Sequence, residues 1–543
     1  LTLHRDAAVP ALGDNPDTLP AALPARIGDV VRRWALATPA APALHDGARH
    51  WSYAQLDAAV DEAVQVLRAL AVRPGDRVML VAENGVAQVA LTFACARIDA
   101  WFVLVNGRMA AREIEAIRLH CGARRVLYAG PGPAGPADGA MGAGADAARP
   151  GHSAVASTHL GALLAGPLDA HCVAEPVVES GAGQVAALLY TTGTTGQPKG
   201  VMLSHRSLLF VAAVSGALRG LTPADRAYGV LPISHVYGLT SVMLGTLSAG
   251  ACLYLAPRFA PDALLRALDE HQLTILQGVP AMYARLLETL AGADGAAPAQ
   301  LENRLRFAYA GGSPLDAQLK RRVEALLGVP LHNGYGMTES APTISQTRLD
   351  APRDDGSVGT VIPGVEARIV DAAGRALPEG VPGELLVRGP NVMLGYYREP
   401  ALSDAAIGAD GWLRTGDLAR RELDGALFIV GRKKELIIRS GFNVYPLEIE
   451  TLLNAHPAVV QSAVVGRGAG DGNEEVIAFV ETGARGADVA PTLQAALHDY
   501  LAPLLAPYKR PARFVAMAAL PAAATGKVLR AELRKLAAAL PDG

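Results

Sequence analysis

The run Tyr190–Gly200, YTTGTTGQPKG, concentrates residue types that bind anions. The hydroxyls of Thr191, Thr192, Thr194 and Thr195 are interleaved with Gly193, Gly196 and Gly200, and Lys199 stands near the end. Glycines let backbone amides converge on an anion, hydroxyls donate further hydrogen bonds, and the lysine supplies counter-charge. That is the composition of a polyphosphate cradle. It does not fit Gly-x-x-x-x-Gly-Lys-Ser/Thr, because Pro198 precedes the lysine and Gly200 follows it. The flanks, AALLYTT and VMLSH, both read as strands, so the loop joins two strands and is not aimed by a helix dipole. A second glycine pattern is a decoy. Gly130, Gly132 and Gly135 match Gly-x-Gly-x-x-Gly, yet Pro131 and Pro133 remove two amide donors and no helical pattern follows. Cys95, Cys121, Cys172 and Cys252 are scattered without a Cys-x-x-Cys pair, which argues against a zinc site or a disulfide framework.

Positioning such a loop takes sizeable elements, and the chain has the material for them. Of its 543 residues 50% are hydrophobic and 19% charged, enough for large cores and too apolar for a disordered chain. Lys+Arg (49) nearly balance Asp+Glu (52), so the basic excess of a nucleic-acid binder is missing. Apolar runs such as RVMLVAE, RRVLYA and CLYLAP predict buried strands, and YAQLDAAVDEAVQVLRAL and PDALLRALDEH show helical spacing. Their alternation predicts an α/β fold with largely parallel sheets. From about 356 to 430 the pattern changes to short strands and turns, which predicts an antiparallel sheet or a distorted, barrel-like part. Beyond Gly431 a compact α+β pattern follows: a helix from Leu447, the strands QSAVVG and EEVIAFVET, then further helices. The uncharged stretch 236–257 carries Thr240, Ser241, Thr246 and Ser248, and reads as a buried helix over about 239–248 followed by a strand, not as a transmembrane span. The segment 129–151 reads as a surface loop. The first residues lack the order of a signal peptide, so a cytoplasmic location is expected.

YTTGTTGQPKG resembles the glycine-rich signature of the adenylate-forming superfamily, which includes acyl-CoA synthetases, carrier-domain adenylation domains and beetle luciferases. Further segments follow in the family's order. AYAGGSPL (308–315) resembles its adenine-side segment, YGMTE (335–339) its nucleotide and magnesium motif, and TGD (415–417) its ribose motif. GRKKELIIRSGFNVYPLEIE (431–450) resembles the interdomain hinge and TGK (525–527) the catalytic-lysine motif, so the match spans about 30–535. The overall feel is of 4-coumarate-type and fatty-acid CoA ligases. The resemblance implies an N-terminal domain over 1–430 with packed mixed sheets, a hinge at 431–435 and a small mobile C-terminal domain over 436–543. It also implies two reactions. A carboxylic acid and ATP give acyl-AMP and pyrophosphate, and the thiol of coenzyme A then gives acyl-CoA and AMP. Mg2+ is needed in the first. The expected partners are a small-molecule acid and CoA, and the chain would work as a monomer or homodimer.

Roles carry over residue by residue. Glu339 would be the magnesium-linked carboxylate, since Mg2+ prefers hard oxygen ligands and is held by one or two carboxylates plus phosphates. Thr338 would donate to the α-phosphate. Tyr335 would offer an aromatic face to adenine, with Gly311, Gly312, Ser313, Gly334 and Gly336 allowing close backbone approach. Asn333 stands where many relatives have Gln and would contact the base edge. Asp417 is acceptor-only when ionised and suits the ribose diol, with Arg432 beside it. Lys527 would neutralise charge developing between carboxylate and α-phosphate. Lys434 would be the pivot, and Ser440, Gly441 and Phe442 would line a pantetheine tunnel.

The acyl pocket is expected from HVYGLTS (235–241), VPAMY (279–283), Tyr309 and Ala310 with the glycines after them, Gly334, and Met337 to Ala341. His235 would gate the pocket from ATP, Tyr237 and Ser241 match the part that faces the ring in 4-coumarate-type ligases, and Gly238 between them would line the pocket. Val236 stands where amino-acid-activating domains have an aspartate, which argues against an amino acid. These segments hold no lysine or arginine, so a second carboxylate on the substrate is disfavoured. A neutral aryl or medium-chain acid is expected. The alternatives are an acyl-AMP ligase loading a carrier-protein phosphopantetheine, a luciferase-like oxygenase, and a non-catalytic ATP-binding scaffold.

Overall fold

The computed structural model describes residues 23–47, 49–130, 151–192, 198–291, 298–439, 442–469, 473–482, 490–522 and 528–540. Two large sheets dominate. One runs, in spatial order, through Gly395–Tyr396, Pro198–Ser204, Val185–Thr192, Trp101–Asn106, Arg77–Ala82, Arg125–Ala129, Leu163–Ala165 and Ser153–Val155. The other runs through Thr360–Val361, Thr343–Gln346, Leu331–Gly336, Phe307–Ala310, Ile275–Gly278, Arg226–Gly229, Cys252–Leu255, Pro42–Asp46 and Arg49–Ser52. Their centres are parallel, as the β/α alternation predicts, and their margins antiparallel. The helix Val86–Arg97 is buried from Val86 to Ala96 and joins His205–Leu218 in one core with strands of both sheets. A helix apolar on all sides has no solvent face to present, so it belongs between layers.

Local chemistry sets the element ends. Ser52 and Gln55 form a reciprocal capping box for Tyr53–Ala69. Ser204 accepts from the Ser207 amide at the start of His205–Leu218, and Pro261 and Pro280 open the next helices at a position where a missing N–H costs nothing. Tyr237–Leu244 is π-helical and continues as Gly245–Ser248 before the Cys252–Leu255 strand, so the uncharged stretch is indeed a buried helix and strand. Among the described residues no helix is long and apolar enough to cross a membrane.

The part from 356 to 430 is the antiparallel sheet of the two forms expected and does not close into a barrel. Its longer strands, Glu366–Val370, Gly383–Arg388, Leu413–Arg421 and Leu427–Arg432, form an open antiparallel sheet with the first and last at its edges. Two short strands leave it: Thr360–Val361 extends the nine-stranded sheet and Gly395–Tyr396 the eight-stranded one. Pairing with existing edges satisfies their backbone groups without closure. The last strand continues through Arg432, two residues past the expected edge. The remaining chain packs Gln461–Gly468, Glu474–Glu481 and Arg513–Met517 as a three-stranded sheet against Pro446–Asn454, Ala490–Leu501 and Arg530–Ala538.

Candidate active site

Val185–Thr192 and Pro198–Ser204 pair antiparallel with Thr191 opposite Lys199, so the glycine-rich loop joins two strands as expected. The side chain of Thr192, and Gly193, Thr194, Thr195 and Gly196, lie outside the described residues, as do Ser440, Gly441 and Lys527. Beyond Lys199 the strand pairs with Gly395–Tyr396, which places Val201 opposite Tyr396. The Lys199 Nζ lies 5.5 Å from the centroid of the Tyr396 ring, and Tyr396 Oη donates to Glu339 Oε1 at 2.8 Å. Lysine, tyrosine and glutamate thus form one cluster between the strand Pro198–Ser204 and the short helix Thr338–Ser340. Burial, and then the Glu339 charge, push the Tyr396 phenol far above the usual tyrosine range, so it remains a donor. Tyr396 was not among the residues expected from sequence. Its only signal was a tyrosine pair, GYYREP, in a region read as turns.

Asp417 and Arg432 are cross-strand partners. Asp417 is 5% exposed; Tyr335 Oη donates to its Oδ2 at 2.5 Å, and Arg432 Nε lies 3.1 Å from its Oδ1. Burial and the Asp417 charge hold the Tyr335 phenol well above 10. Three residues separated widely in sequence therefore form one acceptor-centred group, fitted to a pair of hydroxyls. Glycine is required nearby: a Cβ on Gly336 would fall 1.9 Å from the Pro342 carbonyl oxygen. Asn333 is buried, its Nδ2 donating to the Ser357 carbonyl and its Oδ1 accepting from the Gly334 amide, so the amide already serves the backbone around it. Gly312 and Ser313 are exposed, while Ala310 and Gly311 are buried.

The acyl-pocket residues converge. The Tyr237 ring lies against Gly311, where an added Cβ would meet it at 3.0 Å, and burial pushes its phenol up to about 12 against the opposing charge of Arg219. Tyr309 Oη donates to the Asn333 carbonyl, and Tyr283 Oη to the Tyr309 carbonyl, each at 2.9 Å. Gly238, Ser241 and Ala341 are buried, Met337 half-buried, and His235 exposed, its Nδ1 accepting from the Tyr237 amide at 3.2 Å. Arg219, Gln277 and Gln346 also enter this region and were not expected, because all three lie outside the motif segments: Arg219 arrives from the end of a helix and the glutamines from two strands.

Residues 432–435 hold in two directions. Arg432 pairs with Asp417, and Lys433 Nζ with Glu384 Oε2 at 2.9 Å, both partners lying in the four-stranded sheet. The Lys434 carbonyl instead accepts from Arg534 at 3.3 Å, and Glu435 pairs with Arg530 at 3.1 Å, in the helix Arg530–Ala538. Phe442 is 53% exposed and stacks on Tyr508 with ring centroids 4.5 Å apart.

A lysine and a carboxylate linked through a tyrosine, a buried aspartate held by a tyrosine and an arginine, and converging tyrosine rings are the groups an adenylate-forming enzyme calls for. Comparison with known proteins agrees: the profile of AMP-binding enzymes matches residues 31–397 and that of the AMP-binding enzyme C-terminal domain residues 448–527, and the chain belongs to this family. The indoleacetate–CoA ligase of Aromatoleum aromaticum is 36% identical over 516 residues, covering 94% of this chain and 98% of the relative. The feruloyl-CoA synthase of an Amycolatopsis species is 33% identical over 510 residues, covering 93% and 97%. Among solved structures, ATP-bound MatB from Rhodopseudomonas palustris superposes with a TM-score of 0.78 at 31% identity, covering 94% of this chain and 99% of that one. The chain is an ATP-dependent acyl-CoA synthetase that uses Mg2+ and CoA. Among the described residues no three metal-ligating side chains converge. The single carboxylate of Glu339 beside Lys199 fits Mg2+, whose other ligands come from phosphate oxygens and water.

Proposed function

We propose that the acid this enzyme activates is aromatic, an arylacetic or arylacrylic acid, and that the chain works in the cytoplasm as a monomer or homodimer. The observation that carries the substrate reading is the pocket wall itself. The rings of Tyr237 and Tyr309, backed by Gly311 and Gly334, offer flat aromatic and bare backbone surface, which suits a planar ring. The relatives named for indoleacetate and ferulate both handle aromatic acids, which supports it.

The geometry around Asp417 and Glu339 supports their part in the residue roles of this reading. Asp417, with Tyr335 and Arg432 fixing its two oxygens, would accept from the ribose hydroxyls. Lys199 and Glu339, linked through Tyr396, would hold the polyphosphate and its Mg2+. The acid's oxygen attacks the α-phosphorus, the bond to the β-phosphate oxygen breaks and pyrophosphate leaves. Thr338 and Lys527 would neutralise the charge that builds up there. The CoA sulfur then attacks the acyl carbonyl and AMP leaves, with Phe442 lining the approach and Lys434 at the swivel. A panel of aryl and aliphatic acids, each assayed for pyrophosphate release with and without CoA, tests this. Aryl acids are expected to turn over with CoA and to stall after one equivalent without it. Turnover confined to aliphatic acids would refute the substrate reading.

A further inference from the structure

Arg219 follows the helix His205–Leu218 and is 2% exposed, yet its partners are neutral. Nη1 donates to Gln277 Oε1 at 2.8 Å, Nη2 to Gln346 Oε1 at 3.2 Å, and the guanidinium carbon sits 4.3 Å from the centroid of the Tyr309 ring. Its Nε is buried without a partner, and no carboxylate among the described residues pairs with it. A guanidinium keeps its charge in a protein, and an unpaired buried charge is costly. Glutamine carbonyls orient the fork without neutralising it, so the charge stays available to something else. The segments that hold the arginine carry more unmet hydrogen-bonding capacity. Tyr237 Oη, Thr240 Oγ1, Ser241 Oγ and Ser345 Oγ are all buried without partners, and Gln277 Nε2 donates to the Ser241 carbonyl at 3.3 Å. Native interiors leave few such groups. Ser241 is tied to Gln277, Ser345 flanks Gly334 beside Tyr309, and Gln277 and Tyr309 pair near the carboxyl ends of two parallel strands, where open α/β sheets bind ligands.

We infer that Arg219 is a specificity-determining residue in the floor of the acyl pocket, and that it receives an oxygen acceptor on the acyl group other than the reacting carboxylate: a phenolic oxygen on the ring of an aromatic acid. The inference rests on reading this site as an acyl pocket and narrows the substrate class. A phenol also offers a proton that the neighbouring hydroxyls can accept, whereas an unsubstituted ring leaves the arginine and the hydroxyls unmet.

The test compares two pairs of acids, 4-hydroxyphenylacetate with phenylacetate and 4-hydroxycinnamate with cinnamate, by kcat/KM for pyrophosphate release. The natural chain is expected to favour the hydroxylated member by ~10- to 10²-fold, the range of one hydrogen bond to a charged group. Arg219→Met should erase that preference, the hydroxylated member losing ~10-fold or more relative to its unsubstituted partner. Gln346→Met, which removes one of the arginine's two holders, should shrink the preference at least ~3-fold and decides the matter if Arg219→Met does not fold. Equal loss on both members of a pair, or no preference in the natural chain, overturns the inference, as does activity confined to acids without a second oxygen. Absence of pyrophosphate release from every acid would instead strike the proposed function.

Discussion

Tyr396→Phe removes one atom from the centre of the phosphate cluster and so isolates what that atom does. The lost contact is the 2.8 Å hydrogen bond to Glu339 Oε1, while the ring stays in place beside Lys199. A hydrogen bond to an ionised group contributes about 1.5–3 kcal/mol. Glu339 is only half-buried, so water replaces part of the loss and the lower end applies, about 1.5 kcal/mol or ~10-fold in kcat/KM for MgATP. The freed carboxylate also samples other rotamers, which should raise the Mg2+ concentration needed for half-maximal rate several-fold. Pyrophosphate release titrated with Mg2+ at fixed ATP measures both, and the KM for the acid should stay constant. Thermal unfolding should move little, because the ring still fills its place. Tyr396→Ala removes the ring as well and should cost more. An unchanged Mg2+ requirement in Tyr396→Phe would refute the claim that this hydroxyl positions the metal's carboxylate.

Asp417→Asn places an amide N–H against the donors of Tyr335 or Arg432; the KM for ATP should rise by ~10-fold or more, and a KM within twofold of the natural chain would remove Asp417 from the ribose site. Lys527→Ala should slow acyl-adenylate formation by at least ~10²-fold, by analogy with losing one charge-stabilising donor, while CoA capture of supplied acyl-AMP survives; equal loss of both half-reactions would count against it. Stability should fall on acidification, because burial lowers His205 to about 3 and burial, then Lys320 and Arg219, lower His332 to about 4. Both are neutral in the fold while the unfolded chain takes up protons below about 6.5, so stability is complete above that value and lost as pH falls toward 4, by up to about 1.4 kcal/mol per histidine per pH unit. Urea midpoints at pH 7 and 5 measure it, and a flat profile would show that these rings are not held neutral.

The sequence made legible what lies in contiguous motifs. Tyr190–Gly200 announced its strand-loop-strand form through its flanks, and the strands on both sides pair as expected. The register of Asp417 against Arg432 was implied only by their motifs, and the strand pairing supplies it. Contacts made through sheet edges were not legible. Tyr396 reaches Glu339 because a two-residue strand leaves the 356–430 region to extend a different sheet, a choice set by which edge is open and not by local periodicity. Arg219 was invisible for a related reason. It caps the end of the helix His205–Leu218, and only tertiary packing brings it against the Tyr309 ring. Asn333 shows the converse: its motif position was readable, but not that its amide is engaged with Ser357 and Gly334.

The opposed grips of residues 432–435 have a mechanical consequence. Arg432 and Lys433 are tied to Asp417 and Glu384, Lys434 and Glu435 to Arg534 and Arg530, so allegiance changes across the single peptide between Lys433 and Lys434. Within 432–435, the residues before that bond are held by the four-stranded sheet and those after it by the helix Arg530–Ala538. The joint therefore behaves as a coupling whose halves can be loosened separately. Shortening Glu384 to aspartate slackens one side and leaves the other tight, and a glycine inserted between the two lysines keeps every grip but uncouples their orientations.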